Sequence, residues 1–271
     1  MTDLKKKFEP SISKLYGSCS PNSIVMAFRG SIAHGTYRPN TDENSIDDVD
    51  FISICVPGIE NYFGCLPSSA WGNRGTKEVR YAEIDLVQYE LTKFFSLLIK
   101  SNPNIHSLLF LQPEHIVWKN NSWDRIISRR DIFASKLSYQ AYCGYAGGQL
   151  GKMKAFSFQG YMGEKRKGLV DKFGYDTKNA AHAIRLLRMG VEYLKTGVVR
   201  VDRTNFDAEQ LVAIKNGMWS IEMVRKEAEL LFAEAEEAFR SSSLPEQPDY
   251  QAIEKLCVDI IKTELDLYNY S

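Results

Sequence analysis

The sequence has no long apolar run, no paired cysteines and no apolar segment close to its first residue. No window approaches the roughly 18 consecutive apolar residues of a membrane-spanning helix, so we expect no membrane segment. The five cysteines are scattered without a CxxC pair, which argues against a zinc site or a disulfide framework. The early lysines are not followed by the apolar core of a secretory signal. The sequence therefore predicts a cytoplasmic protein with reduced thiols.

An excess of one charge is also missing. Lys and Arg together number 34, and so do Asp and Glu, so the chain as a whole has no field that would draw it to nucleic acid or to a membrane surface. Any such attraction must be local. Residues 140–204 are a basic region, with 12 Lys or Arg against 5 Asp or Glu. With 44% hydrophobic residues among 271, the chain can build a sizeable core.

Apolar runs bounded by turn residues predict strands early in the chain and helices after them. We predict strands over Ser23–Phe28 and residues 50–57, and a third over residues 78–91 that passes directly into a helix. From about residue 126 the strand signals become sparse. The pattern indicates an α+β fold with a first domain over residues 1–125 and a helical domain over residues 126–271.

The stretch GSIAHGTYRPNTDENSIDDVDF, residues 30–51, combines a Gly-Ser turn with a cluster of acids that enters an apolar strand. Because side chains alternate along a strand, Asp48 and Asp50 project from the same face. Two carboxylates held that close repel one another unless a cation lies between them. Carboxylate oxygens with open coordination positions suit Mg²⁺, or Mn²⁺ in its place. Gly30 would let backbone N–H groups approach a phosphate, and the Ser31 hydroxyl would donate to a phosphate oxygen.

A later strand offers a third acid. Glu83 and Asp85 lie two residues apart among apolar neighbours in YAEIDLVQ, and one of them can complete a two-metal site if the two strands are adjacent. We favour Asp85 because the apolar sequence LVQYEL follows it, and Glu83 stays open. The structural alternative for Asp85 is a salt bridge to Arg80 or Lys77.

The clearest helix lies in YDTKNAAHAIRLLRMGVEYLKTG and is expected to end at Gly197. Its apolar positions recur at steps of three and four residues, which predicts a buried stripe. Lys178, His182 and Arg185 lie on another face. This face is either an ordinary solvated surface or a set of contacts for a triphosphate, which needs cationic partners besides metal ions.

Together these features resemble the DNA polymerase beta-like nucleotidyltransferase superfamily, and the sequence is most similar to its RNA-repair-pathway branch. The matching stretches are GSIAHGTYRPNTDENSIDDVDF, WGNRGTKEVRYAEIDLVQYEL, SNPNIHSLLFLQPEH and KFGYDTKNAAHAIRLLRMG, which cover most of residues 28–197. The resemblance implies a minimal mixed sheet with flanking helices, followed by a helical domain that covers the nucleotide cleft.

One departure from the pattern is the spacing of 16 residues between Ser31 and Asp48. We expect the extra residues to form a flap at the mouth of the site. A register with Asp42 as the first acid fails because no apolar strand follows Asn44.

The resemblance implies a metal-dependent nucleotidyltransferase that moves a nucleoside monophosphate from an NTP, such as ATP, to an acceptor hydroxyl and releases pyrophosphate. Asp48, Asp50 and Asp85 would be the catalytic, metal-binding acids. The implied acceptor is an RNA end, for example that of a cleaved tRNA, while a protein side chain or a small hydroxylated molecule stays open. The predicted nucleotide contacts are Gly30, Ser31, His34, Lys178, His182 and Arg185.

Two alternatives remain at this stage. For His34, a local hydrogen bond in the turn is the alternative to a phosphate or base contact. For the whole protein, the alternatives are a nucleotide- or RNA-binding module without turnover and a toxin-type nucleotidyltransferase that acts on tRNA or protein. The three acids argue against the silent module, because loss of catalysis usually removes a metal ligand first.

Overall fold

A computed structural model describes residues 3–15, 19, 22–39, 41–64, 75–81, 84–154 and 163–266. A five-stranded mixed sheet lies in the first part of the chain, and helices form the rest. The strand order is β3-β4-β2-β1-β5. The strands are β1 (Ser23–Phe28), β2 (Val49–Cys55), β3 (Thr76–Tyr81), β4 (Ile84–Glu90) and β5 (Ile116–Lys119).

The sheet combines one parallel pair with three antiparallel pairs. Strands β2 and β4 run parallel, whereas β1 pairs antiparallel with both β2 and β5, and β3 pairs antiparallel with β4. Strand β1 is buried at every position because it lies between two neighbours and under helices. The α+β class and the first two predicted strands are therefore confirmed.

The third predicted strand is wrong as a single element. It is two strands, β3 and β4, which pair antiparallel with Tyr81 opposite Ile84. Strand β3 is at the edge of the sheet and exposes Lys77, Glu78 and Arg80, and charged side chains protect such an edge from further pairing. The helix that follows β4 begins as predicted, because the side chain of Glu90 accepts hydrogen bonds from two N–H groups of its first turn.

Thirteen helices lie in the described part of the chain. In the first half they are α1 (Asp3–Lys7), α2 (Glu9–Leu15), α3 (Gly30–Ala33), α4 (Glu60–Phe63), α5 (Leu91–Ile99), α6 (Pro103–His106) and α7 (Asn121–Ser128). In the second half they are α8 (Leu137–Lys154), α9 (Glu164–Phe173), α10 (Thr177–Thr196), α11 (Ala208–Lys215), α12 (Ile221–Ser241) and α13 (Tyr250–Glu264). Short 3₁₀ turns cover Ser107–Phe110, Pro113–His115 and Arg130–Phe133. No helix in the described ranges has both the length and the apolar character needed to cross a bilayer.

Each face of the sheet has its own core. On one face, Phe8, between α1 and α2, and Ile12 and Leu15 of α2 pack against β1 and β2. On the other face, α5 and α7 pack together with α13, whose Ile260 lies in the same cluster as Ile52. The last helix therefore returns to the sheet, although the predicted boundary at residue 125 assigns it to the helical domain.

The helical core forms around α10, which contacts α8, α11 and α12. Asp176 caps its first turn by accepting from the Asn179 N–H, and Gly197 ends it in the left-handed conformation at φ 70°. The glycine- and lysine-rich segment before α10 contributes to two helices. Its first part lies in the long helix α8, residues 155–162 are outside the described ranges, and the sequence EKRKG forms the start of α9.

Candidate active site

The predicted acids meet at the ends of β2 and β4. Because these strands are parallel, Asp50 and Asp85 lie directly side by side in the sheet and project from the same face. Asp48 precedes Asp50 by two residues at the entry to β2. The sheet register thus places the two distant parts of the sequence next to each other. Glu83, the other candidate for the third acid, is outside the described residues.

The electrostatics of Asp50 show that these acids influence one another. The pKa of Asp50 is raised to about 6, chiefly by burial and to a smaller extent by the nearby charges of Asp48 and Asp85. Arg29, whose guanidinium is 3.7 Å from the Asp50 carboxylate, and Lys178 lower this pKa. An additional cation would therefore stabilise the ionised form of this carboxylate.

Asp85 has a cationic partner in the structure. Arg80 faces it across the β3–β4 pair and donates two hydrogen bonds, from Nε at 2.5 Å and from Nη2 at 2.6 Å. The Arg80 side chain is 74% exposed, and Asp48 also interacts with it electrostatically. The salt bridge to Arg80, which was the structural alternative for Asp85, is therefore present. Because the Arg80 side chain is exposed, it can move away from Asp85 without disturbing the core.

The donor chemistry fits Mg²⁺ or Mn²⁺, but the carboxylates are not gathered as a closed ligand set. Within the described ranges, no group of three or more His, Cys, Asp or Glu side chains is close enough to hold a metal ion. Of the three predicted acids, only Asp50 is among the residues that line the cleft. Asp48 lies two residues before it, and Asp85 can join once Arg80 has turned away.

Replacing Arg80 with Ala is therefore expected to raise the affinity for Mn²⁺ about tenfold, since the guanidinium no longer competes for Asp85. Titration calorimetry with Mn²⁺ measures this change, and Lys77→Ala on the same exposed strand is the matched control. An affinity that stays the same or falls in Arg80→Ala would show that the guanidinium does not compete with metal ions.

Gly30 is the residue that brings the Gly-Ser turn against the acids. Its φ of 62° lies in the left-handed region, and an added Cβ would be 2.4 Å from Asp50 Oδ2. A side chain at this position would therefore push Asp50 away. Ser31 follows on α3 and lines the same cleft. The prediction that both residues contact nucleotide remains a prediction, and the structure places them at the acids.

The polar face of α10 forms the opposite wall of the cleft. Lys178, His182 and Arg185 all line it, with Asp50 on the facing side. Lys178 Nζ donates to the Ile46 carbonyl at 3.1 Å. This face is therefore not simply solvated. The cleft has a volume of about 240 Å³ and is open to solvent.

The side chains of Arg185 and His34 are joined by a hydrogen bond that holds both in position. Arg185 Nη1 donates to His34 Nε2 at 2.7 Å, and because arginine cannot accept, the imidazole proton must be on Nδ1, which donates to the Val201 carbonyl at 2.9 Å. Both ring nitrogens of His34 are used within the protein, but by partners 151 and 167 residues away rather than by a local hydrogen bond in the turn. Burial lowers the pKa of Arg185 to about 10.

Sequence reasoning missed a further group of charged residues that lines the same cleft as Asp50. Asp47 is buried and forms ion pairs with Lys215 at the end of α11 and, at 3.8 Å, with Lys178. Lys215 also donates to the Thr36 carbonyl at 3.0 Å. The sequence signal was the Asp47-Asp48 doublet, whereas nothing in the sequence identifies a partner 168 residues away.

The long loop before β2 is held by basic side chains from the helical part. Lys165 Nζ donates to the Asp42 carbonyl at 2.7 Å, and Lys172 Nζ donates to Asn44 Oδ1 at 2.9 Å. Arg38 pairs with Asp42 within the loop. The predicted flap therefore lies against α9 at one side of the cleft.

All four histidines have lowered pKa values, chiefly because they are buried. The pKa falls to about 3 for His106 and His182, well below 6.5 for His34, and also below 6.5 for His115. The unfolded chain takes up these protons below pH 6.5 whereas the folded protein does not, so the free energy of unfolding must fall as pH falls.

We expect a loss of roughly 1 kcal/mol for each of His106 and His182 between pH 6.5 and 5.5. Urea denaturation at the two pH values measures it. Asp50, with its raised pKa, opposes the loss in part of this window, so Asp50→Asn should make the decline steeper. Stability that is constant or increases on acidification in that variant would contradict the assignment of neutral, buried histidines.

The comparisons with known proteins identify the family of the chain. The model of the RlaP family, described as the RNA repair pathway DNA polymerase beta family, matches residues 24–259. The chain belongs to this family. Among solved structures, a nucleotidyltransferase-like protein from Exiguobacterium sibiricum 255-15 is similar at 12% identity and a TM-score of 0.31, covering 87% of this chain and 74% of that chain. No curated protein matches the sequence.

Membership of the RNA repair pathway DNA polymerase beta family makes this chain a polymerase beta-like nucleotidyltransferase in fold and family. The matched range contains Gly30, Asp48, Asp50 and Asp85 as well as the whole of α10. Both walls of the cleft thus lie within the range that the family model matches.

Proposed function

We propose that this protein transfers a nucleoside monophosphate from an NTP to a hydroxyl at an RNA end and releases pyrophosphate. The observation that carries the proposal is the in-register pairing of Asp50 with Asp85 on parallel strands, with the Gly30 turn in contact with Asp50 and a cationic helix across the cleft. These are the parts that nucleotidyl transfer needs: oxygen ligands, a backbone that a phosphate can approach, and positive charge.

Asp48 and Asp50 would hold Mg²⁺ or Mn²⁺, with Asp85 joining after Arg80 leaves. A bound divalent ion supplies charge neutralisation at the reacting phosphate and favours ionisation of the attacking hydroxyl. In this proposal, Asp85 would accept the proton of that hydroxyl on a carboxylate oxygen. Gly30 and Ser31 orient the β and γ phosphates through backbone N–H groups and the Ser31 hydroxyl.

The phosphates of the departing pyrophosphate would be met by Lys178 and Arg185. Arg185 is the stronger candidate because its buried guanidinium has no carboxylate within salt-bridge distance among the described residues, and its hydrogen bond to His34 uses one of its donors. A buried cation without an anion is costly, and a phosphate oxygen in the cleft would relieve that cost.

Replacing Arg185 with Ala is expected to weaken triphosphate binding about 10- to 100-fold, because a charge-assisted hydrogen bond to a buried guanidinium is lost. Competition of inorganic tripolyphosphate against a labelled nucleotide measures the change. Lys195→Ala, at the exposed end of the same helix, is the matched control. If Arg185→Ala binds tripolyphosphate as tightly as the wild type, this face of α10 has a structural role and does not bind phosphate.

The acceptor is the least constrained part of the proposal. The family description names RNA repair, and α9 carries a run of basic residues beside the cleft. Some of these lysines are already engaged by the loop before β2, so an RNA end would compete with Asp42 and Asn44 for them. A toxin-type enzyme that modifies tRNA or protein would use the same chemistry on a different acceptor.

One observation favours a second candidate function, a nucleotide- or RNA-binding module without turnover. Arg80 neutralises Asp85, and a protein that never binds metal would keep such a pair permanently. This candidate predicts nucleotide binding without pyrophosphate release.

The deciding experiment incubates the protein with each α-labelled NTP, Mg²⁺ or Mn²⁺, and in turn total tRNA, cleaved tRNA, protein extract or no acceptor. Label on an RNA band together with released pyrophosphate, both lost in Asp48→Asn, is the expected result. Label on protein would replace the RNA acceptor with a protein one. Nucleotide binding with no release under any condition would overturn transfer in favour of the binding module.

A further inference from the structure

His182 has no role in the phosphate chemistry described above, although it lies between Lys178 and Arg185 on the cleft-facing side of α10. Its Nε2 is shielded from solvent and has no hydrogen-bond partner among the described residues. Buried polar atoms are almost always paired, and one that is not paired calls for an explanation. An unpaired nitrogen on the wall of an open cleft is most simply explained by a ligand atom that pairs with it.

The charge state of His182 separates it from its neighbours. Burial, and then the positive charges of Arg185 and Lys178, lower its pKa to about 3, so the imidazole is neutral near pH 7. A neutral imidazole offers one donor and one acceptor nitrogen but no charge for a phosphate. Lys178 and Arg185 supply the cations of this face, so His182 suits an uncharged polar partner.

The cleft that His182 lines has both charged and apolar residues. Five of its lining residues, here called the apolar wall, are buried or half-buried and apolar: Ala33, Leu108, Leu111, Ala181 and Leu211. Asn104 and Ser107 also line the cleft. A flat heterocycle with polar edges matches apolar walls that carry a few fixed polar groups, whereas a triphosphate does not.

We propose that His182 hydrogen-bonds the nucleobase of the bound triphosphate and thereby sets the base preference of the enzyme. This inference rests on the proposed function, since it names a part of the same nucleotide site. The triphosphate lies toward Arg185 and the acids, and the base lies along the apolar wall, where Nε2 pairs with a ring or exocyclic atom. A base whose edge offers the wrong group would leave Nε2 buried and unpaired, which is the basis of discrimination.

The test measures binding rather than turnover. Dissociation constants are determined for ATP, GTP, CTP, UTP, 2′-deoxy-ATP and inorganic tripolyphosphate on wild type, His182→Ala, His182→Gln and Arg185→Ala. Wild type is expected to prefer one base by about tenfold or more, which corresponds to about 1.4 kcal/mol. In His182→Ala, the dissociation constants of the four ribonucleotides should lie within about threefold of one another. The affinity for tripolyphosphate should be unchanged.

The other variants keep the outcome unambiguous. His182→Gln retains a neutral hydrogen-bonding group and should restore part of the preference, whereas Arg185→Ala should weaken all ligands, tripolyphosphate included, by a similar factor. Loss of tripolyphosphate affinity in His182→Ala would make His182 a phosphate contact and overturn the inference. So would equal weakening of all four ribonucleotides, which would place His182 on the ribose, or a wild type without base preference.

Failure of the proposed function is distinguishable from failure of this inference. If wild type binds tripolyphosphate as tightly as every nucleoside triphosphate, the cleft is not a nucleotide site and the proposed function fails. If wild type discriminates among bases and His182→Ala discriminates equally well, only the assignment of His182 fails. Thermal melting of each variant verifies that the compared proteins are folded.

Discussion

Replacing Asp50 with Asn is expected to lower the rate of nucleotidyl transfer by about 10³-fold or more, equivalent to about 4 kcal/mol of transition-state stabilisation. The amide removes a negative oxygen from a side chain that interacts electrostatically with Asp48 and Asp85 and lies against the Gly30 backbone. Pyrophosphate release under saturating NTP and acceptor measures the loss. Substrate concentrations must be saturating so that a change in binding is not mistaken for a change in chemistry.

The same substitution should not cost stability. The protein holds Asp50 in surroundings that raise its pKa to about 6, so the charged form is disfavoured by the fold, and a neutral amide of the same shape relieves that cost. We expect a Tm equal to or above that of the wild type. Asp171→Asn, on the exposed surface of α9, is the control and should change neither activity nor Tm. Full activity in Asp50→Asn, or a large fall in its Tm, would remove Asp50 from the catalytic site.

Replacing Gly30 with Ala is expected to reduce activity about 100-fold, because the new methyl group cannot coexist with the present position of Asp50 Oδ2 at 2.4 Å. Displacement of the carboxylate by about an ångström is enough for a loss of this size. The left-handed backbone at Gly30 adds a stability cost of about 1–2 kcal/mol, which applies to any L-residue at this φ. Turnover and urea denaturation measure the two effects separately.

Gly174 provides the matched control for this experiment. It also has a left-handed backbone, at φ 76°, but a Cβ added there meets nothing within 4 Å. Gly174→Ala should therefore lose similar stability and keep its activity. If both variants lose activity equally, the effect of Gly30→Ala is due to backbone strain or partial unfolding, and the close approach of Gly30 to Asp50 would have no special role.

Local sequence patterns were sufficient for the elements that carry the site. The apolar run of β1 and the acid-led run of β2 are each bounded by turn residues, and α10 has a cap residue at one end and a glycine at the other. These signals depend on neighbouring residues alone. The antiparallel pair of β3 and β4 was missed for the same reason. Its edge strand carries charges where a buried strand would be apolar, so its pairing depends on the sheet beside it.

The contacts of the site were beyond sequence reasoning because they join residues that are far apart in the chain. The Arg80 pair with Asp85 depends on the register of β3 against β4. The bond between His34 and Arg185 spans 151 residues, and Lys215 reaches Asp47 across 168. Sequence suggested His182 as one of three similar polar contacts. Its burial, which depends on how α10 packs, makes it chemically different from the cations on either side.

The sequence by itself determined the type of the molecule: an α+β chain with a Gly-Ser turn, an Asp-x-Asp pair and a helix with a basic face, which together indicated the family. The tertiary structure decided which of these residues face one another and in what charge state. The physical reason is that strand and helix patterns are short-range, whereas burial and ion pairing depend on the packing of the sheet against α10. The acids can therefore be predicted from the sequence, whereas their arginine partners and the neutral state of His182 cannot.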